Sequence, residues 1–203
     1  MHEAVLGILC SGRGTNLQSI VAAVENGQIK AKIGLVLTDK PEAKALERAE
    51  KAGLSHACID RRACASKQEF EEQLVAQLKA AGVTLVVLAG FMRILSPYFV
   101  QEFKGSIMNI HPSLLPSFGG AHAHRDVLAY GVKVSGCTIH FVDEGMDSGP
   151  IILQAAVPVL DEDTEDTLAA RVLEQEHILY PRAIELYVNG CLQIDGRHVK
   201  IKN

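Results

Sequence analysis

The order of apolar and helical patterns in the first half of the chain constrains its fold more than any other feature. Short apolar runs at 4–9, 32–39, 55–60 and 84–90 alternate with helical patterns at 16–27, 42–53 and 67–82. Strands that are apolar along their length are buried on both faces, and intervening helices favour parallel pairing with right-handed crossovers. We therefore predict an α/β fold: a doubly wound, mostly parallel sheet with helices on both faces.

The second half of the chain changes character and mixes strands with irregular loops. Strands are predicted at 106–110, 132–145 and 151–159, a short helix near 125–130, and a long helix from 161 to 190. Acidic residues crowd the start of the long helix, where the helix dipole favours negative charge. The turn pairs Asn189-Gly190 and Asp195-Gly196 predict short strands in the tail.

Composition argues against several classes of function. The 203 residues carry a net charge of −4 and no basic run, which disfavours a nucleic-acid partner because phosphate neutralisation needs clustered Lys and Arg. The five cysteines are scattered without a C-x-x-C pair, which favours a reducing cytoplasm over a disulfide framework or a zinc knuckle. Without a basic N-terminal lead or a membrane-length apolar run, neither secretion nor membrane insertion is expected.

A glycine-containing segment, CSGRGTN at 10–16, joins the first predicted strand to the first helix. Glycines permit a tight turn, and the helix that follows offers unpaired N–H groups and the positive end of its dipole. These features favour an anion site, above all for a phosphate, although the segment matches neither the nucleotide P-loop nor the dinucleotide fingerprint. A plain glycine turn with Asn16 as helix cap explains the residues equally well.

The segment AGFMRILSP at 89–97 follows the most hydrophobic strand. Within it Arg93 is the only charged residue. One interpretation is a solvent-facing arginine at a loop edge. The other is an apolar slot for a flat heterocycle, with backbone groups supplying the polar contacts.

The segment MNIHPSLLPSFGGAHAHR at 108–125 concentrates amide and imidazole groups. Asn109 and His111 are two residues apart, so in an extended strand they point to one side, where both can donate to a developing oxyanion. His122 and His124 repeat this spacing, and Cys137 and His140 follow. A zinc site is the alternative, disfavoured because no helical i, i+4 or carboxylate–histidine pattern supports it.

The turn FVDEGMDSGPII at 141–152 contains three carboxylates and two glycines. A solvated acidic turn accounts for them. A functional interpretation is that one aspartate, near a histidine and an amide, completes a trio that handles protons.

Six stretches, taken in order, resemble the folate-dependent formyltransferases that act on glycinamide ribonucleotide: GRGTNLQSI, VVLAGFMRILSP, MNIHPSLLPSF, GAHAHRDVL, HFVDEGMDSGPIILQ and RVLEQEHILYP. They extend from residue 12 to residue 181, and IHPSLLP followed by D-x-G-P is specific to formyl transfer from folates. The resemblance implies a Rossmann-like formyltransferase fold in one domain. Its phosphate-binding half would span about 1–100, its folate and catalytic half about 101–190, and a short β tail 190–203.

The resemblance also implies an activity, the transfer of a formyl group from 10-formyltetrahydrofolate to the amine of glycinamide ribonucleotide in purine synthesis, without a metal. Asn109, His111 and Asp147 match the catalytic trio, Gly14, Thr15 and Asn16 the phosphate loop, and Glu176 a ribose contact. The folate pocket matches Lys67, Met92, Arg93, Ile94, Leu95, Asn109, Asp143, Glu144, Gly145 and Met146, with His122 and His124 flanking the site. The implied partners are these small molecules, with no nucleic acid or membrane, and the implied assembly is a monomer or a homodimer.

Two positions depart from the family pattern. Gly119 occupies a position where the family usually has proline, which should loosen its loop, and Leu173 lies where some members carry glutamine. Two relatives with the same catalytic core are less well matched: methionyl-tRNA formyltransferase has an additional C-terminal domain, and formyltetrahydrofolate deformylase an N-terminal regulatory domain. A non-enzymatic binder of phosphorylated metabolites is the alternative from another class.

Overall fold

The computed structural model describes residues 3–202. The strands are β1 (Ala4–Cys10), β2 (Ala31–Thr38), β3 (His56–Cys58), β4 (Leu85–Leu88), β5 (Ile107–His111), β6 (Val134–Phe141), β7 (Ile151–Pro158), β8 (Leu192–Asp195) and β9 (His198–Ile201). The helices are α1 (Thr15–Glu25), α2 (Lys44–Lys51), α3 (Lys67–Ala80), α4 (Pro97–Glu102), α5 (Ala123–Tyr130) and α6 (Glu165–Val188). The chain divides into two compact units after Met108.

The first unit contains parallel strands in the order β3-β2-β1-β4. All four residues of β4 are buried, as expected for a strand covered on both faces. The start of β5 follows β4, since the N–H of Val86 donates to the carbonyl of Ser106 at 2.9 Å. The parallel pairing predicted from the alternating pattern is confirmed in this unit.

The second unit is mixed. Its strands follow the order β5-β6-β7-β9-β8, with β6–β7 and β8–β9 antiparallel and β7–β9 parallel. Thr164 caps α6 by accepting from the N–H of Thr167 at 3.3 Å, and two acidic residues occupy the first turn, as predicted. Its core cluster consists of Val127, Cys137, Val157, Leu168 and Val172.

The prediction of secondary structure was wrong in three places. The long helix predicted from 161 to 190 is α6, which begins only at Glu165, after its cap Thr164, and ends at Val188. The predicted strand 132–145 is too long, because β6 ends at Phe141. Beyond it, Oδ1 of Asp143 accepts from the N–H of Gly145 at 3.1 Å and the hydroxyl of Ser148 at 2.6 Å, and this local network replaces strand pairing. Helix α4 was not predicted, since six residues are too few to show a helical period.

Within residues 3–202, no helix combines the length and the apolar character needed to cross a membrane. The five cysteines are free thiols. Burial raises the pKa of Cys10 to about 12, so its thiol stays protonated and acts as a core side chain.

Candidate active site

Strand β5 presents Asn109, which contacts a histidine that the sequence interpretation did not assign to the site. Nδ2 of Asn109 lies 3.1 Å from Nε2 of His140 on β6. Nδ1 of His140 lies 2.8 Å from the carbonyl oxygen of Phe141, which can only accept, so we assign the proton to Nδ1. Nε2 therefore accepts from the Asn109 amide, and this bond fixes the orientation of the amide.

Burial of His140 keeps this arrangement neutral. The side chain is 2% exposed, and desolvation lowers its pKa, opposed by the Phe141 carbonyl and the Asp147 charge. A protonated Nε2 would point a hydrogen at the hydrogens of the Asn109 amide. The lowered pKa therefore protects the orientation of Asn109 near neutral pH.

His111 ends β5 with both ring nitrogens near acceptor atoms. Nε2 lies 2.9 Å from the carbonyl oxygen of Phe118, and Nδ1 lies 3.5 Å from Oδ2 of Asp147. The carbonyl requires a proton on Nε2, and a second proton on Nδ1 would face the carboxylate. The site is thus built to accommodate an imidazolium.

Asp147 lies between the two histidines in the turn from β6 to β7. Its φ is 49°, in the left-handed region, where Asp is tolerated better than most residues. Oδ2 accepts from the N–H of Gly120 at 2.8 Å, and Oδ1 is 4.0 Å from Nε2 of His140. A backbone bond therefore aims the carboxylate, leaving its charge close to both imidazoles.

The loop at 113–120 is anchored by side chains of β6 and β7. Thr138 Oγ1 donates to the carbonyl of Ser113 at 2.6 Å and accepts from the N–H of Leu115 at 3.0 Å. Nε2 of Gln154 donates to the carbonyl of Leu115 and to Thr138 Oγ1, each at 2.9 Å. These bonds place the Phe118 carbonyl where His111 can donate to it.

The other predicted residues of the second unit have different surroundings. His122 is exposed before α5, while His124 is partly buried, and desolvation lowers the pKa of His124, with the charge of Glu165 opposing it. Glu176 is buried on α6, and Leu173 is half-buried one turn earlier. Burial and the charge of Glu176 raise the pKa of Cys137 to about 12.

The turn predicted to contact folate is partly committed to its own structure. Asp143 is bonded to Gly145 and Ser148, whereas Met146 is 60% exposed. Glu144 is exposed. A Cβ at Gly119 would meet Asp147 only at van der Waals distances of 3.7 Å or more, so this position tolerates a side chain.

In the first unit, the predicted phosphate loop turns at Gly14, whose φ is 71°. A Cβ there would lie 2.9 Å from Cα and Cβ of Ala45 on α2, so the glycine is required by helix packing as well as by the turn. The carbonyl of Arg13 accepts from Nε of Arg48 at 2.8 Å. Thr15 and Asn16 are the first two residues of α1, and the N–H groups in the first turn of a helix point toward its N-terminal end, where an anion can accept from them.

The predicted folate slot in the first unit combines exposed apolar side chains with a fixed cation. Met92 is 69% and Ile94 65% exposed, and Leu95 is half-buried. Arg93 does not simply face solvent, because its Nε donates to Oδ2 of the buried Asp39 at 2.6 Å. Lys67 is exposed on α3 with its Nζ 3.8 Å from Oε1 of Glu71.

No group of three or more His, Cys, Asp and Glu side chains suited to a metal ion occurs among residues 3–202. The sequence interpretation missed His140 and Asp39 as parts of these sites. The signal for each was weak: a polar residue at or just after a buried strand, with its partner distant in sequence.

Comparison with known proteins identifies the protein family of this chain. Residues 5–184 match the formyl transferase family, so the chain belongs to that family. Within it, the chain is 43% identical over 187 residues to phosphoribosylglycinamide formyltransferase of Escherichia coli, covering 92% of this chain and 88% of that relative. It is 46% identical over 191 residues to trifunctional purine biosynthetic protein adenosine-3 of Drosophila melanogaster, but spans only 14% of that protein's length.

Solved structures of formyltransferases have the same fold as this chain. The crystal structure of glycinamide ribonucleotide transformylase 1 from Symbiobacterium toebii is 48% identical, with a TM-score of 0.98 over 100% of this chain and 95% of that one. Phosphoribosylglycinamide formyltransferase from Anaplasma phagocytophilum is 39% identical, with a TM-score of 0.92. The predicted α/β fold class, a mostly parallel sheet with helices, is confirmed.

Proposed function

We propose that this protein transfers the formyl group of 10-formyltetrahydrofolate to the amine of glycinamide ribonucleotide, giving formylglycinamide ribonucleotide in de novo purine synthesis. One observation carries the proposal beyond family membership: an amide, an imidazole and a carboxylate occur together in the second unit. Asn109 is oriented by His140, and His111 faces Asp147 at 3.5 Å. Acyl transfer requires donors for an oxyanion and a group that moves protons, and these side chains supply both.

The reaction begins when the primary amine attacks the formyl carbon. A C–N bond forms and the carbonyl oxygen becomes an oxyanion, while the attacking nitrogen becomes an ammonium. The Asn109 amide carries a second N–H besides the one directed at His140, and this N–H donates to the oxyanion. The second donor is Nδ1–H of protonated His111, because Nε2–H is held by the Phe118 carbonyl while Nδ1 is 3.5 Å from Asp147, too far for a strong hydrogen bond. One such donor contributes roughly 10²–10³ in rate.

Collapse of the intermediate breaks the bond between the formyl carbon and N10 of the folate. The ammonium loses a proton to Asp147, directly or through water, and N10 receives a proton from His111. The charge of Asp147 stabilises the imidazolium until that transfer. The products are tetrahydrofolate and the formylated amine, with no metal step.

Binding roles follow from the family pattern and the chemistry of each segment. The N–H groups at Gly14, Thr15 and Asn16 hold the phosphate, and Glu176 contacts the ribose. Met92 and Ile94 offer apolar surface to the folate ring, with Arg93 between them in the same slot, and Lys67 offers positive charge near the carboxylate tail. The family pattern assigns residues 143–146 to the folate as well.

The test is an assay of tetrahydrofolate formation with purified protein, 10-formyltetrahydrofolate and glycinamide ribonucleotide. We expect product only when both substrates are present. Product that forms equally without glycinamide ribonucleotide would identify a hydrolase, in which water replaces the amine. Binding of both substrates without turnover would identify a non-enzymatic binder.

Several properties remain predictions from the sequence. They are the cytoplasmic location, the monomeric or homodimeric state, the organisation as one formyltransferase domain, and the lack of a nucleic-acid partner.

A further inference from the structure

The segment at 91–95, here called the slot segment, is tied to a buried carboxylate. Arg93 in its centre donates from Nε to Oδ2 of Asp39, and the two atoms are 2.6 Å apart. Asp39 directly follows β2 and is only 1% exposed. Asp39 and Arg93 are 54 residues apart in sequence, but Asp39 follows β2 and Arg93 follows β4. Both strands pair with β1 in parallel, so the segments that follow them lie at the same edge of the sheet.

The buried carboxylate of Asp39 relies on this arginine for a charged partner. Its second oxygen, Oδ1, is buried and accepts no hydrogen bond from residues within 3–202. Arg93 provides its one ion pair within that range. A buried carboxylate without a partner is strongly disfavoured, so Arg93 cannot swing away without leaving one.

Hydrogen bonds to buried acceptors also fix the backbone on either side of Arg93. The N–H of Met92 donates to Oγ of Ser11 at 2.8 Å. On the other side, the N–H of Ser96 donates to Oε1 of Glu71 at 2.9 Å, and the Ser96 hydroxyl donates to Oε2. Glu71, like Asp39, is 1% exposed.

This anchoring leaves the apolar side chains outside. Met92 and Ile94 flank the anchored arginine, and they are 69% and 65% exposed. Large apolar groups held in water by a fixed backbone form a preorganised contact surface, which lowers the ordering cost of binding a flat ring. The position of both side chains follows from the position of Arg93.

We propose that Asp39 is a positioning residue for the folate: through Arg93 it fixes the slot segment in the conformation that receives the ring. This inference rests on the proposed function, because the slot is assigned to folate there. Asp39 itself is buried and acts on the slot segment through Arg93.

Steady-state kinetics and thermal unfolding of Asp39→Asn, Arg93→Gln and the double variant test the proposal. Asp39→Asn should raise the KM for 10-formyltetrahydrofolate about tenfold, while kcat and the KM for glycinamide ribonucleotide change less than about twofold. The double variant leaves no unpaired buried charge, so it should recover stability relative to Arg93→Gln while keeping the raised folate KM. Should Asp39→Asn fail to fold, the double variant gives the same kinetic comparison.

A second aspartate–arginine pair, formed by two partly buried residues, provides the control. Asp163 is bonded to Arg171 at 2.7 Å, far from the slot segment in sequence. Asp163→Asn should lower the unfolding temperature and leave the folate KM unchanged. An unchanged folate KM in Asp39→Asn, or a KM restored together with stability in the double variant, overturns the inference. Absence of turnover and of calorimetric folate binding in the wild-type protein would instead overturn the proposed function.

Discussion

Replacing Asp147 by asparagine isolates the contribution of one charge to catalysis. The residue has φ of 49°, a conformation in which Asn is tolerated at least as well as Asp. An Asn side-chain oxygen can still accept from the N–H of Gly120, which donates to Oδ2 at 2.8 Å. The fold and the turn should therefore survive, and the charge facing His111 is what disappears.

The separation of the charges sets the magnitude. With Nδ1 of His111 3.5 Å from the carboxylate, an effective dielectric of ~20 gives an attraction of about 5 kcal/mol between carboxylate and imidazolium, before desolvation is subtracted. A 10²-fold fall in rate corresponds to roughly 2.7 kcal/mol. We therefore expect kcat to fall by about 10²–10⁴, the range for general acid–base groups. Both KM values should change little because ground-state contacts remain.

The assay is single-turnover and steady-state formation of tetrahydrofolate with both substrates. Asp126→Asn is the control. Asp126 pairs with Arg125 on α5, so its replacement removes an ion pair outside the trio and should leave kcat at the wild-type value. Circular dichroism confirms folding of each variant. Wild-type turnover by Asp147→Asn would refute the role of this charge and leave Asp147 as a turn residue.

Further predictions use matched positions. Ile94→Asp should weaken folate binding measured by calorimetry, whereas Ile178→Asp should not, since these side chains are similarly exposed at 65% and 62% and only the first is in the slot. Gly14→Ala should lower the free energy of unfolding by about 1–3 kcal/mol more than Gly27→Ala, because both have positive φ but only Gly14 is crowded by α2; equal losses would exclude the crowding. Burial lowers the pKa of His140 below its ordinary value of 6.5, so as the pH falls the unfolded chain takes up this proton before the folded protein does. The free energy of unfolding should therefore be highest above about pH 6.5 and decrease as the pH falls through the folded-state pKa. Denaturant unfolding should show a flatter pH dependence in His140→Gln.

The sequence predicted those helices and strands that are specified by neighbouring residues. Buried strands such as β4 appear as continuous apolar runs, and α6 appears in its length and acidic N-terminal end, although its start was placed at 161 and lies at Glu165. Helix α4 escaped because its six residues show no period, although Ser96 followed by Pro97 is a common start signal for a helix. The end of β6 depended on the Asp143 hydrogen bonds, which compete with the strand pattern.

The site was predictable to the extent that its residues lie close in sequence or in a family motif. Asn109 and His111 are two residues apart on one strand, so their shared side follows from strand geometry. The contacts of His140 with Asn109 and of Asp39 with Arg93 join residues 31 and 54 apart. Such contacts depend on strand order and on which buried acceptor lacks a partner, and a single sequence specifies neither in readable form.

The loop that contacts His111 and Asp147 does so through its main chain. His111 donates to the carbonyl of Phe118, and Asp147 accepts from the N–H of Gly120. Every residue except proline carries both groups, so these bonds depend on the path of the loop, which the Ser113 hydroxyl, donating to the Phe118 carbonyl, and the φ of 95° at Gly120 help to fix. The loop therefore tolerates substitution only at positions that do not hold its path, which excludes Ser113 and Gly120. Gly119 is such a position, since a Cβ there would meet Asp147 only at 3.7 Å or more, and variants at this residue can tune the loop while its main-chain bonds stay in place.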